Sequence, residues 1–200
     1  LMHLGDYEAS LDLHERALAL IAWLDATGQP LHATARGNLA TLHYQGGDYA
    51  RAEQVFRETL ELEESYLSPG HPRLAATLNN IASSVQYQGR LEEAEPLYLE
   101  AIAIARASLG REHAELGNFL QNLASLYDDQ ELYAQSERVY RESIRVHEAS
   151  LGRTNPNTAL LLRNFALNRY AVGELEEAEA LLREALASVT GGLGPDHLDT

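Results

Sequence analysis

The sequence predicts an all-α protein, an α-solenoid of antiparallel helix pairs, and three observations carry that expectation. Asn38, Asn80, Asn122 and Asn164 recur at a constant interval of 42 residues, each opening a similar phrase (Asn38-Leu39-Ala40, Asn80-Ile81-Ala82, Asn122-Leu123-Ala124, Asn164-Phe165-Ala166). Self-similarity at such a period marks a stacked repeat array. Within one unit, Leu74, Leu78, Ile81, Ala82 and Val85 share one helical face, and Leu91, Ala94, Leu97, Tyr98, Ala101, Ile102 and Ala105 share a second. Gly89 separates the two patterns as a left-handed cap, and so short a turn allows only an antiparallel pair.

The other units repeat this chemistry. The turn glycine recurs at Gly5, Gly47 and Gly173, while Glu131 replaces it in one repeat, whose turn is expected to be slightly rebuilt. A large residue follows each turn (Tyr7, Tyr49, Leu91, Tyr133, Leu175) and a small one lies three further on (Ser10, Ala52, Ala94, Ser136, Ala178). The small side chains let helices approach closely while the large ones fill the gaps. Glu92-Glu93 and Glu176-Glu177 suit the first turn of a second helix, where the macrodipole favours carboxylates. Pro72 and Pro156 suit the first position of a helix, with Asn155 as an N-cap. Pro96 is expected to bend its helix locally. Arg36, His43 and Arg169 stand at positions that are apolar or aromatic in other units, so their stems are expected to pack and their polar ends to reach solvent. Trp23, the single tryptophan, is read as packing between long helices in preference to an interface anchor.

These motifs resemble tetratricopeptide repeats of the 42-residue kinesin-light-chain type, above all Gly89-Arg90-Leu91-Glu92-Glu93-Ala94-Glu95-Pro96-Leu97-Tyr98 and Leu193-Gly194-Pro195-Asp196-His197. The resemblance implies a right-handed superhelix with first helices lining a concave groove. It divides a single array into a partial repeat at 1–30, full repeats at 31–72, 73–114, 115–156 and 157–198, and the start of another at 199–200. A segment of a longer array is expected, with exposed ends able to associate end to end.

The same resemblance places the groove lining at recurring positions of each first helix. These are Gly37, Asn38, Thr41, Tyr44 and Gln45, then Asn79, Asn80, Ser83, Gln86 and Tyr87, then Gln121, Asn122, Ser125, Asp128 and Asp129, then Arg163, Asn164, Leu167, Tyr170 and Ala171. Asn is a poor mid-helix residue, so four in register suggest a compensating use. An amide that donates and accepts suits an extended peptide backbone. Bonding within the array is the other reading, and both stay open.

Composition narrows the partner. Thirty acidic residues stand against fifteen basic ones, all Arg, for a net charge of −15. Nucleic acid and anionic membrane surfaces are therefore not expected partners. The related chaperone-type carboxylate clamp needs Lys and Arg flanking the asparagines, whereas this chain has no Lys and Arg163 is alone in its row. Kinesin light chains favour acidic cargo, whereas Asp128 and Asp129 here favour a neutral or basic segment. The absence of cysteine is compatible with a reducing compartment, and a cytoplasmic protein is expected.

No catalytic or metal constellation emerges, and neither enzymatic activity nor a cofactor is expected. His71, His113 and His197 share one loop position, but stacked repeats keep them too far apart for one zinc ion, leaving loop capping or solvent exposure. His147 is separated from Asp128 by most of a helix. Phosphate-loop and nucleophile-elbow motifs are absent. The expected function is a protein- or peptide-binding scaffold. The alternative is an intramolecular regulatory array controlling an attached nucleotide-switch or caspase-like domain.

Overall fold

The computed structural model describes Leu13, Arg16 and residues 29–193, with side chains to Val189. The motifs at Gly5, Tyr7, Ser10, Trp23 and His197, and both chain ends, lie outside the described residues. Among those described there are eight helices and no strand: α1 Gln29–Gln45, α2 Tyr49–Tyr66, α3 Pro72–Tyr87, α4 Leu91–Ser108, α5 Ala114–Asp129, α6 Tyr133–Leu151, α7 Pro156–Ala171 and α8 Leu175–Leu193. The chain forms two compact units that divide within α4, at Ile104. In the first, α1 packs on α2 and α2 on α3; in the second, α5 packs on α6, α6 on α7 and α7 on α8.

Three of the first helices start on a side-chain cap. Asn155 accepts the Asn157 N–H at 2.9 Å, and His71 and His113 do the same through Nδ1 toward Arg73 and Glu115. The two loop histidines are therefore caps. Pro72 and Pro156 stand at the first helical positions. Helix α4 continues through Pro96, which it contains near its start.

The turns share one hydrogen-bond pattern. At Gly89, φ is 79°, its N–H donates to the Gln86 carbonyl and that of Arg90 reaches back to Val85. This is the Schellman arrangement. The Glu131 turn is not rebuilt: Glu131 itself adopts φ 60°, with the equivalent bonds Glu131 N–H to Asp128 and Leu132 N–H to Tyr127. Three-residue connections and helix packing dictate the turn, and the glutamate is forced into it. A left-handed non-glycine residue costs about 1–2 kcal/mol. Glu131→Gly is therefore expected to raise unfolding stability by about 1 kcal/mol in urea denaturation.

The first unit buries Val55 and Phe56 of α2, Leu78, Ile81 and Val85 of α3, and Tyr98 and Ile102 of α4. The second centres on Ala124, Tyr140, Leu161 and Phe165, flanked by Val139, Ile144 and Leu181. Two of the three irregular polar positions do not reach solvent as expected. Arg169 is 5% exposed and His43 is buried, while Arg36 is half-buried and pairs with Glu58 at 2.7 Å. Arg169 lies 2.7 Å from Glu137 and 5.4 Å from the Phe165 ring centre, and it also donates to the Asn168 amide oxygen.

Ionic clusters of similar plan join successive second helices. In the first unit Arg57 and Arg90 converge on Glu53, and Arg90 also holds Glu93 at 2.6 Å. In the second unit Arg141 bridges Glu137 and Glu177 at 2.8 and 2.9 Å. Burial raises the Glu53 and Glu137 carboxyls, but the Gln88 amide with Arg57 and Arg90 at Glu53, and Arg141 with Arg169 at Glu137, outweigh it and hold both below their ordinary value. Depressed folded-state values stabilise above the ordinary carboxylate value of 4.5, and that contribution is lost as pH falls below it. Melting temperature should therefore drop below that pH. Circular-dichroism melts of a Glu53→Gln/Glu137→Gln variant should show a shallower acid dependence.

Candidate functional site

In the first unit, the expected wall is built from α1 and α3. Asn38, Thr41 and Gln45 are exposed, Tyr44, Asn80 and Ser83 are half-buried, and Tyr87 is exposed at 60%. The Tyr44 hydroxyl lies 2.8 Å from the Ser83 hydroxyl, joining the two first helices. Burial pushes that phenol up to about 12, against the opposing effect of the Ser83 hydrogen bond. Tyr49 stacks on Tyr87 with centroids 4.9 Å apart, and Tyr44 meets both edge-on. Thr41 turns its hydroxyl back to the Gly37 carbonyl at 2.9 Å.

Asn79 and Gln86 depart from the expected wall, because both are buried. They lie one helical turn beyond Ala75 and Ala82, on the stripe that faces the core. The Gln86 amide oxygen accepts from the Tyr98 hydroxyl of α4 at 2.8 Å, so it supports the wall from behind.

In the second unit α5 and α7 bring several expected residues together. Ser125, Asp128, Asp129, Asn164, Leu167 and Ala171 line an open cleft of about 350 Å³, with Tyr133, Tyr140 and Asn168 completing it. Gln121 and Asn122 line a separate concavity of about 290 Å³ with Asn118, Asn157 and Leu160. Arg163 and Tyr170 are exposed on α7, and Arg163 donates to the Asn164 amide oxygen at 3.3 Å.

Asp128 is held from two sides. The Tyr140 hydroxyl donates to Oδ2 at 3.0 Å, and the Asn168 amide donates to Oδ1 at 2.6 Å. Tyr140 occupies the repeat position of Tyr98, and Asp128 that of Gln86, so one geometry serves an amide in one unit and a carboxylate in the other. Burial, reinforced by the Asp128 charge, holds the Tyr140 phenol well above its ordinary range. Asn168 was not among the expected lining residues. Its signal was available: a further asparagine one turn after Asn164 in the same helix, almost fully buried against Asp128.

No cluster of three His, Asp or Glu able to hold a metal occurs among the described residues. Nor is any described helix long and apolar enough to cross a membrane.

Comparison with known proteins bears on the whole chain. A tetratricopeptide repeat family model matches residues 1–65, 73–149 and 120–191. Among solved structures, BtubC (BKLC) from P. vanneervenii superposes with a TM-score of 0.80 at 21% identity, covering 96% of this chain and 77% of that one. One structure of a kinesin light chain candidate from Podosopora anserina, built of nearly identical TPR-like repeats, gives 0.77 at 20% identity, covering 94% and 89%. Another structure from that source, of the same description, gives 0.73 at 21%, covering 92% and 87%. No curated protein sequence matches the chain significantly.

Proposed function

The chain belongs to the tetratricopeptide repeat family and has its all-α solenoid fold, and from that premise we propose a non-enzymatic scaffold that binds a protein or peptide segment along the wall of first helices. The observation that carries this reading is the cleft between α5 and α7, where Ser125, Asp128, Asn164 and Leu167 combine polar anchors with apolar surface. The repeat boundaries 31–72, 73–114, 115–156 and 157–198 belong to the same proposal. A neutral or basic segment is the partner that suits a chain of net charge −15.

Selection from a random peptide library, followed by isothermal titration, tests it. Peptides enriched on the chain should bind Asn80→Ala/Asn122→Ala at least about fivefold more weakly, since two hydrogen bonds contribute about 0.5–1.5 kcal/mol each. Equal affinities for parent and variant would remove the asparagine wall as the binding site.

A further inference from the structure

We propose that the cleft between α5 and α7 is a pocket for one arginine side chain of the bound segment, with Asp128 as its ionic anchor. This deepens the groove reading and rests on it. Four observations converge on a guanidinium.

First, Asp128 is a preorganised acceptor. Both carboxylate oxygens are held in place, at 3.0 Å by Tyr140 and 2.6 Å by Asn168. Those donors are neutral, so the negative charge is oriented without being cancelled. A carboxylate offers about four lone-pair positions, which leaves acceptor capacity beyond these two bonds.

Second, two of the nearby cations of this unit are committed to carboxylates elsewhere, and Arg163, exposed on α7, donates to Asn164 and does not itself line the cleft. Arg141 bridges Glu137 and Glu177, and Arg169 pairs with Glu137 at 2.7 Å. None of the residues lining the cleft is basic, while Asp129 adds a second carboxylate at its rim. The site is therefore complementary to a cation, as the chain's net charge of −15 is at longer range.

Third, the walls suit the rest of an arginine. Leu167, exposed at 59%, and Ala171 offer apolar surface for the methylene stem. Tyr133 lines the same space, and a planar guanidinium stacks on an aromatic face where a hydrated ammonium gains less.

Fourth, the carboxylate distinguishes this repeat from its neighbour. The equivalent position in the first unit is Gln86, a buried amide that receives the same tyrosine hydrogen bond from Tyr98. An amide accepts the tyrosine hydroxyl there, so that bond by itself does not require a carboxylate at Asp128.

Amide chemical-shift titration of the full chain tests this with three blocked pentapeptides, glycines flanking a central arginine, lysine or citrulline. The arginine peptide should shift Ser125, Asp129, Asn164 and Ala171 saturably. Citrulline, equal in shape but uncharged, should shift them at least about tenfold less effectively, and lysine should fall between. Asp128→Asn should reduce arginine affinity about tenfold. Asp129→Asn and Ala171→Trp change exposed positions, so they keep the test decisive if Asp128→Asn misfolds: the first should weaken binding and the second abolish it. Equal response to citrulline or lysine overturns the assignment, as does arginine binding that survives Ala171→Trp or that leaves these amides unmoved. Library peptides that need Asn80 and Asn122 but carry no essential arginine would leave the groove reading standing while sinking this one. Arginine capture at the cleft, with library peptides indifferent to the Asn80→Ala/Asn122→Ala change, would confine binding to the cleft and remove the asparagine wall from the groove reading.

Discussion

Arg169→Val is expected to lower unfolding stability by about 3 kcal/mol, measured by urea denaturation. The side chain is almost fully buried, contacts Glu137 at 2.7 Å, donates to Asn168 and lies against Phe165. Its removal leaves Glu137 with Arg141 as its remaining ionic partner and leaves the Asn168 amide oxygen without this donor. A single compensating change should recover about half of that loss. In the first unit the repeat position of Arg169 is Val85, fully buried, and the bridging cation is Arg90 in the turn, which holds both Glu53 and Glu93. The second unit has Glu174 at the position of Arg90. Its cation has moved from the turn into the helix. The double variant Arg169→Val/Glu174→Arg rebuilds the first unit's arrangement in the second. Simple additivity of the two single changes would show that the two cations are not interchangeable.

Gly117→Ala is expected to cost about 2 kcal/mol, although alanine is the better helix former by about 1 kcal/mol. An added Cβ would sit 2.5 Å from Cε1 and Nδ1 of His147. That ring cannot swing away easily. It is fully buried, with Nε2 3.0 Å from the Asn118 amide oxygen and Nδ1 3.0 Å from the Ser143 carbonyl. The Ser143 hydroxyl meanwhile donates to the Gly117 carbonyl at 2.7 Å, clamping the two helices together. Other repeats carry Ala33, Ala75 and Ala159 at the glycine's position, and Ala105 stands where His147 does. The pair Ala75 and Ala105, both fully buried, therefore gives a precedent for Gly117→Ala/His147→Ala. A double-mutant cycle should return a coupling of about 2 kcal/mol, and a value near zero would refute the steric account.

Both sites depend on contacts between residues distant in sequence. The 42-residue period, the helical faces, the proline starts and the Asn155 cap were all legible, because each depends on residues close in sequence. Ser125, Asp128 and Asn164 were also legible as lining residues, since repeat register alone puts them on one wall. Asn79 and Gln86 were misplaced because their stripe borders the core, and a shift of one residue around a helix exchanges wall for interior. Arg169 was expected to reach water because its partners Glu137 and Glu177 come from other helices, distant in sequence. Glu131 was expected to change its turn, whereas packing on both sides imposed the left-handed conformation regardless of side chain.

Periodic composition was enough to specify the hairpin and its caps, since local stereochemistry and helical spacing act within a few residues. Which polar groups are sealed inside and which stay open was settled by neighbouring helices. Desolvation makes a buried charge or amide tolerable only beside a partner, and such partners arrive from another hairpin at contact distance, as Asn168 does for Asp128 and Glu137 does for Arg169.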